Sequence, residues 1–367
     1  MDPILFAASA RRGAAFVDRW RGVRPEFLCV LAHTDTCLIA GLSTAGVSED
    51  LRAYTPAADA EVVQLGEPLC LPMLPSSPLG APGPSGITRA ALRLAGIEAT
   101  FVGAGLRIWP TADCLRVSDE PGASIELGHA VSNARELFEA GVDLGRDVAR
   151  RTEHLVLAES VPGGTTTALA VLLALGYAAE GRVSSSVPGN AHELKTRVAR
   201  SALAAAGLRS AGAGADPLLV VSRVGDPMQP LVAGLALGAM RDGCEVLLAG
   251  GSQMLAVAAL LVALAGRAAL ERVAIGTTRW IVQDPAADVA GLAADVSPEL
   301  PLLAINLDFG TSRHPGLRKY ERFLVKEGVG AGGACIAALL ATGASLGELH
   351  DAIDATYDSL LGRLQVR

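Results

Sequence analysis

Five times along the chain a short apolar run ends in Gly, Ser, Thr or a carboxylate, and an apolar helix-like stretch follows most of these ends. The runs are Leu155–Ala158 before Glu159, Leu218–Val224 before Gly225-Asp226, Glu245–Ala249 before Gly250-Gly251-Ser252, Arg272–Ile275 before Gly276-Thr277, and Leu302–Leu307 before Asp308. A buried strand, a small turn and a covering helix, repeated, predict an α/β chain with a doubly wound, mostly parallel sheet of Rossmann-like type. In such sheets ligands sit beyond the carboxyl ends of the strands. The stretch 26–342 is expected to form this α/β domain. Residues 1–25, read as a helical arm, and 343–367 are expected to pack together as a small helical cap.

The central unit runs from Leu155 to Leu173, LVLAESVPGGTTTALAVLL. Glu159 closes the strand, Gly163 and Gly164 make the turn, and a helix starts near Thr166. A helix N-terminus carries unpaired N–H groups and about half a positive charge, which suits a phosphate. Gly163, Gly164, Thr165 and Thr166 are therefore candidate phosphate ligands, although an ordinary threonine-capped turn has the same pattern. Gly225, Asp226, Gly250, Gly251, Ser252 and Ser312 lie at other strand ends and are candidates for the same phosphorylated ligand. No Lys follows the second glycine, so this is not a Walker A loop. One carboxylate, rather than an adjacent pair, points to a monophosphate with no obligatory metal and no cofactor.

Composition narrows the partners. The net charge of −7 and the lack of a Lys/Arg-rich patch argue against nucleic acid. Six scattered cysteines without a C-x-x-C pair read as reduced core residues of a cytoplasmic protein. The longest uncharged run, Val246–Gly266, is broken by Gly250-Gly251-Ser252-Gln253 and reads as strand, turn and helix, not as a membrane span. His33 and Asp35 at the end of a strand over Phe27–Ala32 form either a catalytic pair or a satisfied turn. The stretch from Gly41 to Gly86, with seven prolines between Pro56 and Pro84, reads as a lid or binding loop. Ile87–Leu94 and Asn190–Ala205 read as helices, Ala99–Leu106 as a strand, and Gly128 as the opening of a further helix.

Near the end, Lys326-Glu327-Gly328-Val329-Gly330-Ala331 puts a second carboxylate before a glycine turn at a helix start. Taken in order, four segments resemble the nicotinate-nucleotide:dimethylbenzimidazole phosphoribosyltransferases. Glu159 to Ala168 is similar to that family's Glu-x-x-x-Gly-x-Thr-Thr-Thr-Ala segment, and Glu327 to Ala331 to its Glu-Gly-Thr-Gly-Ala loop. Pro84 to Gly105 resembles its Pro-Gln-x-x-Thr helix and Val-x-x-Gly strand, and Ser312 to Gly316 its Ser-Ala-Glu-Pro-Gly loop. The first 80 residues, with HTDT and YTPAADAE, resemble a divergent branch of the family found in archaea and some bacteria.

The resemblance implies transfer of ribose 5-phosphate from nicotinate mononucleotide to a benzimidazole-type base in a homodimeric enzyme. It implies Glu327 as general base, Glu159 beside the ribose, Lys195 on the phosphate, and Pro84, Ser85 and Thr88 at the acceptor base. The residue chemistry is compatible with this. Nicotinate leaves the mononucleotide as a neutral ring, while the attacking base must lose a proton, and one carboxylate can take it. Ser85 stands where the family has Gln, and Gly164 where it has Asn, so the base pocket is reshaped. A different acceptor, or a homologue that binds nucleotide without catalysis, remains open at this point. The loop Pro72–Pro84 is expected to wall that pocket.

Overall fold

The computed structural model describes residues 2–46, 48–208 and 216–365. Strand β1 (Ile4–Ala8) and helix α1 (Ala10–Trp20) open the chain, followed by β2 (Glu26–Leu31). Helices α2 (Thr55–Leu65) and α3 (Ser85–Ala95) lead to β3 (Ala99–Ala104) and β4 (Cys114–Ser118). After α4 (Ala134–Ala149), β5 (His154–Ser160) runs into α5 (Gly164–Ala174). Helices α6 (His192–Ala205), α7 (Pro217–Val224) and α8 (Met228–Arg241) come next. Then come β6 (Glu245–Ala249), α9 (Ser252–Ala265), β7 (Val273–Thr278), the single turn α10 (Arg279–Val282), α11 (Val289–Val296) and β8 (Leu302–Ile305). Helices α12 (Ala331–Thr342) and α13 (Leu346–Gln365) follow.

The strands form one sheet in the order β1-β8-β7-β6-β5-β2-β3-β4. All neighbours are parallel except β1, which runs antiparallel to β8. Both faces are covered, so the inner strands are apolar throughout rather than alternating; every residue of β6 is buried. One core, under α4 to α9 and α11, joins residues such as Leu157, Leu172, Leu231 and Leu248. The other, under α1, α2, α3, α12 and α13, joins Phe16, Trp20, Phe101, Ile336 and Tyr357. The α/β, doubly wound, mostly parallel reading therefore holds.

Four local expectations fail. Residues 1–25 are not helix alone, because β1 hydrogen-bonds to β8 and joins the sheet. Helix α1 lies against α12, and α13 against α3, over one face of the sheet. The run Leu218–Val224 is helix α7, not a strand. Asp216 caps it by accepting from the Leu218 N–H, and Pro217 takes the first turn. The loop read from Gly41 to Gly86 contains α2, which carries buried residues along most of its length and so lacks an amphipathic period. The edge strand β4 was not anticipated, and the helix expected from Gly128 begins at Ala134.

Candidate active site at the sheet switch point

The chain leaves β2 towards β3 and β4 on one side, and returns through β5 to run outward to β8 on the other. The order reverses between β2 and β5, and a crevice opens beyond their carboxyl ends. Glu159 is the next-to-last residue of β5 and lies on this crevice wall, 3 % exposed. Its Oε2 accepts from Gln253 Nε2 at 3.1 Å. Burial, then the charges of Asp226 and Glu327, push its pKa up to about 8. Gly164 is glycine for a local reason, since a Cβ there would stand 2.6 Å from Gln253 Nε2. The glycine thus leaves the space through which Gln253 reaches Glu159.

Glu327 lies on the same wall, in the turn before α12. The Gly328 and Gly332 N–H groups donate to its Oε1, each at 3.1 Å, and Thr277 Oγ1 donates to Oε2 at 3.2 Å. Enclosure nevertheless raises its pKa to about 7, because desolvation outweighs these donors. The turn is pressed against β7, and a Cβ on Gly332 would lie 2.0 Å from the Thr277 carbonyl carbon. Thr88 Oγ1, on α3, donates to the Val329 carbonyl at 3.0 Å and fixes the turn from the other side. The two carboxylates, 168 residues apart in sequence (327 − 159), thus meet in one crevice.

The opposite chemistry stands behind the segment Ser184–Val187, which lines the crevice. Lys326 Nζ donates to Asp284 Oδ2 at 2.6 Å and to Asn190 Oδ1 at 2.8 Å. Lys195 Nζ donates to Ser185 Oγ at 2.9 Å and to the Asn190 carbonyl. Asp284 also accepts from Ser184 Oγ at 2.6 Å. Both lysines are buried; Asp284 pairs with Lys326, whereas Lys195 is held by the Ser185 hydroxyl and the Asn190 carbonyl. Burial first, then the neighbouring Lys326, lowers the Lys195 pKa to about 7. One end of the crevice is therefore rich in carboxylate, and a polar loop at its edge is backed by buried ammonium groups.

The other expected site residues divide. Gly163 and Thr165 line the crevice at the N-terminus of α5, and Gly251 and Ser252 line it at the start of α9. Gly250 borders Glu159, since a Cβ there would come within 3.7 Å of Glu159 Oε1. Pro84 is on the wall, whereas Ser85 and Thr88 sit one layer behind it. Thr166 Oγ1 is buried without a partner, and Thr167 Oγ1 donates to Asp226 Oδ2 at 2.5 Å. Asp226 and Gly225 thus support α5 and α8 from behind rather than face the opening.

Two placements correct the expectation directly. Lys195 is absent from the wall and holds the serine loop from beneath. Ser312 is elsewhere: its Oγ donates to Asp354 Oδ1 at 2.6 Å and anchors α13. His33 and Asp35 form a turn, with Asp35 bound bidentately by Arg107 at 2.5 and 2.7 Å. Sequence reasoning missed Asp59, Gln253, Thr277 and the segment 184–187. The three serines after Val183 were a visible signal, while Asp59 lay inside the stretch read as loop. Among the described residues no group of three or more His, Cys, Asp or Glu is placed to hold a metal. None of the described helices is long and apolar enough to cross a membrane.

No family model matches the sequence. A UPF0284 protein of Methanothermobacter thermautotrophicus is 42 % identical over 317 residues, 86 % of this chain and 87 % of that protein. A second, from Gloeobacter violaceus, is 43 % identical over 361 residues, 97 % of this chain and 93 % of its own. The chain belongs to the UPF0284 family. Among solved structures it is similar to nicotinate-nucleotide-dimethylbenzimidazole phosphoribosyltransferase from Thermus thermophilus, with a TM-score of 0.58 over 93 % of this chain and 88 % of that one. Identity there is 20 %, so the likeness is one of fold.

Proposed function

We propose that this protein is a phosphoribosyltransferase that moves ribose 5-phosphate from nicotinate mononucleotide to a benzimidazole-type base. The observation that carries the reading is the paired electrostatics of one crevice. Two enclosed carboxylates, Glu159 and Glu327, face a loop backed by Lys195 and Lys326. A nucleotide with a pyridinium at C1′ and a phosphate at C5′ has the matching charges at its two ends.

In the reaction the acceptor nitrogen bonds to C1′ as the C1′–N bond to nicotinate breaks. The bonding electrons go to the ring nitrogen, and nicotinate leaves with an uncharged ring and its carboxylate. The acceptor N–H proton goes to Glu327. Its pKa, raised to about 7, keeps it a usable base near neutral pH. Glu159, ionised as the cation enters, stabilises the positive charge that develops on the ribose. The N–H groups at the start of α5 and the Ser184–Ser186 segment hold the phosphate and fix C1′ between leaving group and attacker.

Purified protein mixed with nicotinate mononucleotide and a panel of benzimidazoles is expected to release nicotinate, read by chromatography. No release across the panel would reject the reading. Glu327→Gln is expected to lower turnover by about 10²-fold or more, the low end for a lost general base. The wild-type rate should rise with pH through about 7, and that limb should vanish in the variant.

A further inference from the structure

The transferase reading leaves one buried acid unused. Asp59, on α2, lies on the crevice wall and is 4 % exposed. Its Oδ2 accepts from Ser160 Oγ at 2.8 Å. Its Oδ1 is buried and has no hydrogen-bond partner. Leaving a polar atom buried and unpaired costs about 1–3 kcal/mol, more when it is charged, so such an atom calls for a reason.

Its position supplies one. The Ser85 hydroxyl also faces the Asp59 carboxyl and, with Ser160, works against the rise that burial causes in its pKa, to about 7. Ser85 follows Pro84, whose ring packs on Gly328, the residue after Glu327. A Cβ on Gly328 would meet that ring at 2.9 Å. Asp59 therefore shares the crevice wall with Pro84, Gly328 and Glu327, and through Ser160 it lies beside Glu159. The small side chain of Ser85 leaves this corner to Asp59. Ser76 and Ser77 add further polar surface to the same wall. A pocket meant for a purely methylated ring would gain nothing from a buried carboxylate there.

We propose that Asp59 selects the acceptor: the base is a fused-ring heteroaromatic carrying an exocyclic N–H or O–H donor, and that donor binds the Asp59 carboxyl. The proposal rests on the transferase reading for the word acceptor, and on Asp59 itself for the ligand chemistry. A site built to bond a donor discriminates strongly against an analogue that lacks it, because its own buried polar atom is then left unpaired.

The test is calorimetric titration of the full chain at pH 8 with 5-aminobenzimidazole, 5-hydroxybenzimidazole and the isosteric 5-methylbenzimidazole. We expect the amino or the hydroxyl compound to bind at least ~10-fold more tightly than the methyl compound, about 1.4 kcal/mol. The pair also tells an amine donor from a hydroxyl donor. Asp59→Leu is expected to abolish the preference. Should that variant not fold, Asp59→Asn keeps the shape and removes the charge, and should cut a tenfold preference to roughly threefold, since a charge-assisted bond is about twice as strong as a neutral one. Equal binding of all three, a preference undiminished by these substitutions, or no binding of any base would overturn the assignment. Nicotinate release is read in parallel. Selective binding without release would sink the transferase reading and leave Asp59 as a ligand-selecting residue, whereas release without selectivity would remove Asp59 alone.

Discussion

Replacing Glu159 by Gln is expected to make the unliganded protein more stable at pH 8 and little different at pH 5. The residue is buried, and its pKa is raised from an ordinary 4.5 to about 8, by burial first and then by Asp226 and Glu327. A carboxyl with a raised folded-state pKa keeps its proton in the folded chain after the unfolded chain has lost it. Its stabilising contribution is complete below about pH 4.5 and declines as pH rises, until the folded group ionises near pH 8. Each pKa unit corresponds to ~1.4 kcal/mol, so the shift sets a ceiling of roughly 5 kcal/mol. Relaxation and water entry bring the expected gain on substitution to about 2–3 kcal/mol. With an unfolding entropy of ~2.1 cal/mol/K per residue, a chain of 367 residues gives ~0.8 kcal/mol/K, hence a Tm gain of about 3 °C. The assay is thermal melting of wild type and Glu159→Gln from pH 5 to 8. Glu327, Asp59 and Asp226 are present in both proteins, so the difference between the two curves reports Glu159 together with its coupling to them. Parallel curves across that range would refute the reasoning.

The lysine cluster and the glycine turn give two more expectations. Asp284→Asn leaves Lys326 without its buried carboxylate and should cost about 3–5 kcal/mol in urea unfolding; adding Lys326→Met should recover part of it. Gly332→Ala places a Cβ 2.0 Å from backbone and disturbs one donor to Glu327, so a loss of about 2 kcal/mol or more is expected. Gly347→Ala, in α13 with nothing nearer than 3.8 Å, should be neutral or slightly stabilising in the same experiment.

Much of the fold was legible because an inner parallel strand is apolar on both faces and ends abruptly in a small or charged residue. β5 and β6 declare themselves in this way, and so does the turn after each. The same rule misread α7, whose β-branched run looks like a strand; the Asp216-Pro217 start was the signal that should have decided it. α2 was invisible to periodicity because core surrounds it, and with it went Asp59. At the site, Glu159 and Glu327 could be picked out as carboxylates next to glycine turns. Lys195 could not be placed, because sequence does not distinguish a lysine that reaches into a crevice from one that holds its floor. Ser312 showed the opposite error, a strand-end residue whose hydroxyl serves α13.

The pairing of Ile4 with Ile305 joins the two extremes of the sheet's sequence. The outer side of β8 is therefore an open template until the chain's first residues return to it. During synthesis those residues must wait for some three hundred others before they find their partner, a closure slowed by the length of the loop it seals. Until then an unpaired parallel edge is available to any extended segment, including that of another copy. An extension fused ahead of β1 acts on this late step, well away from the crevice at the sheet's centre.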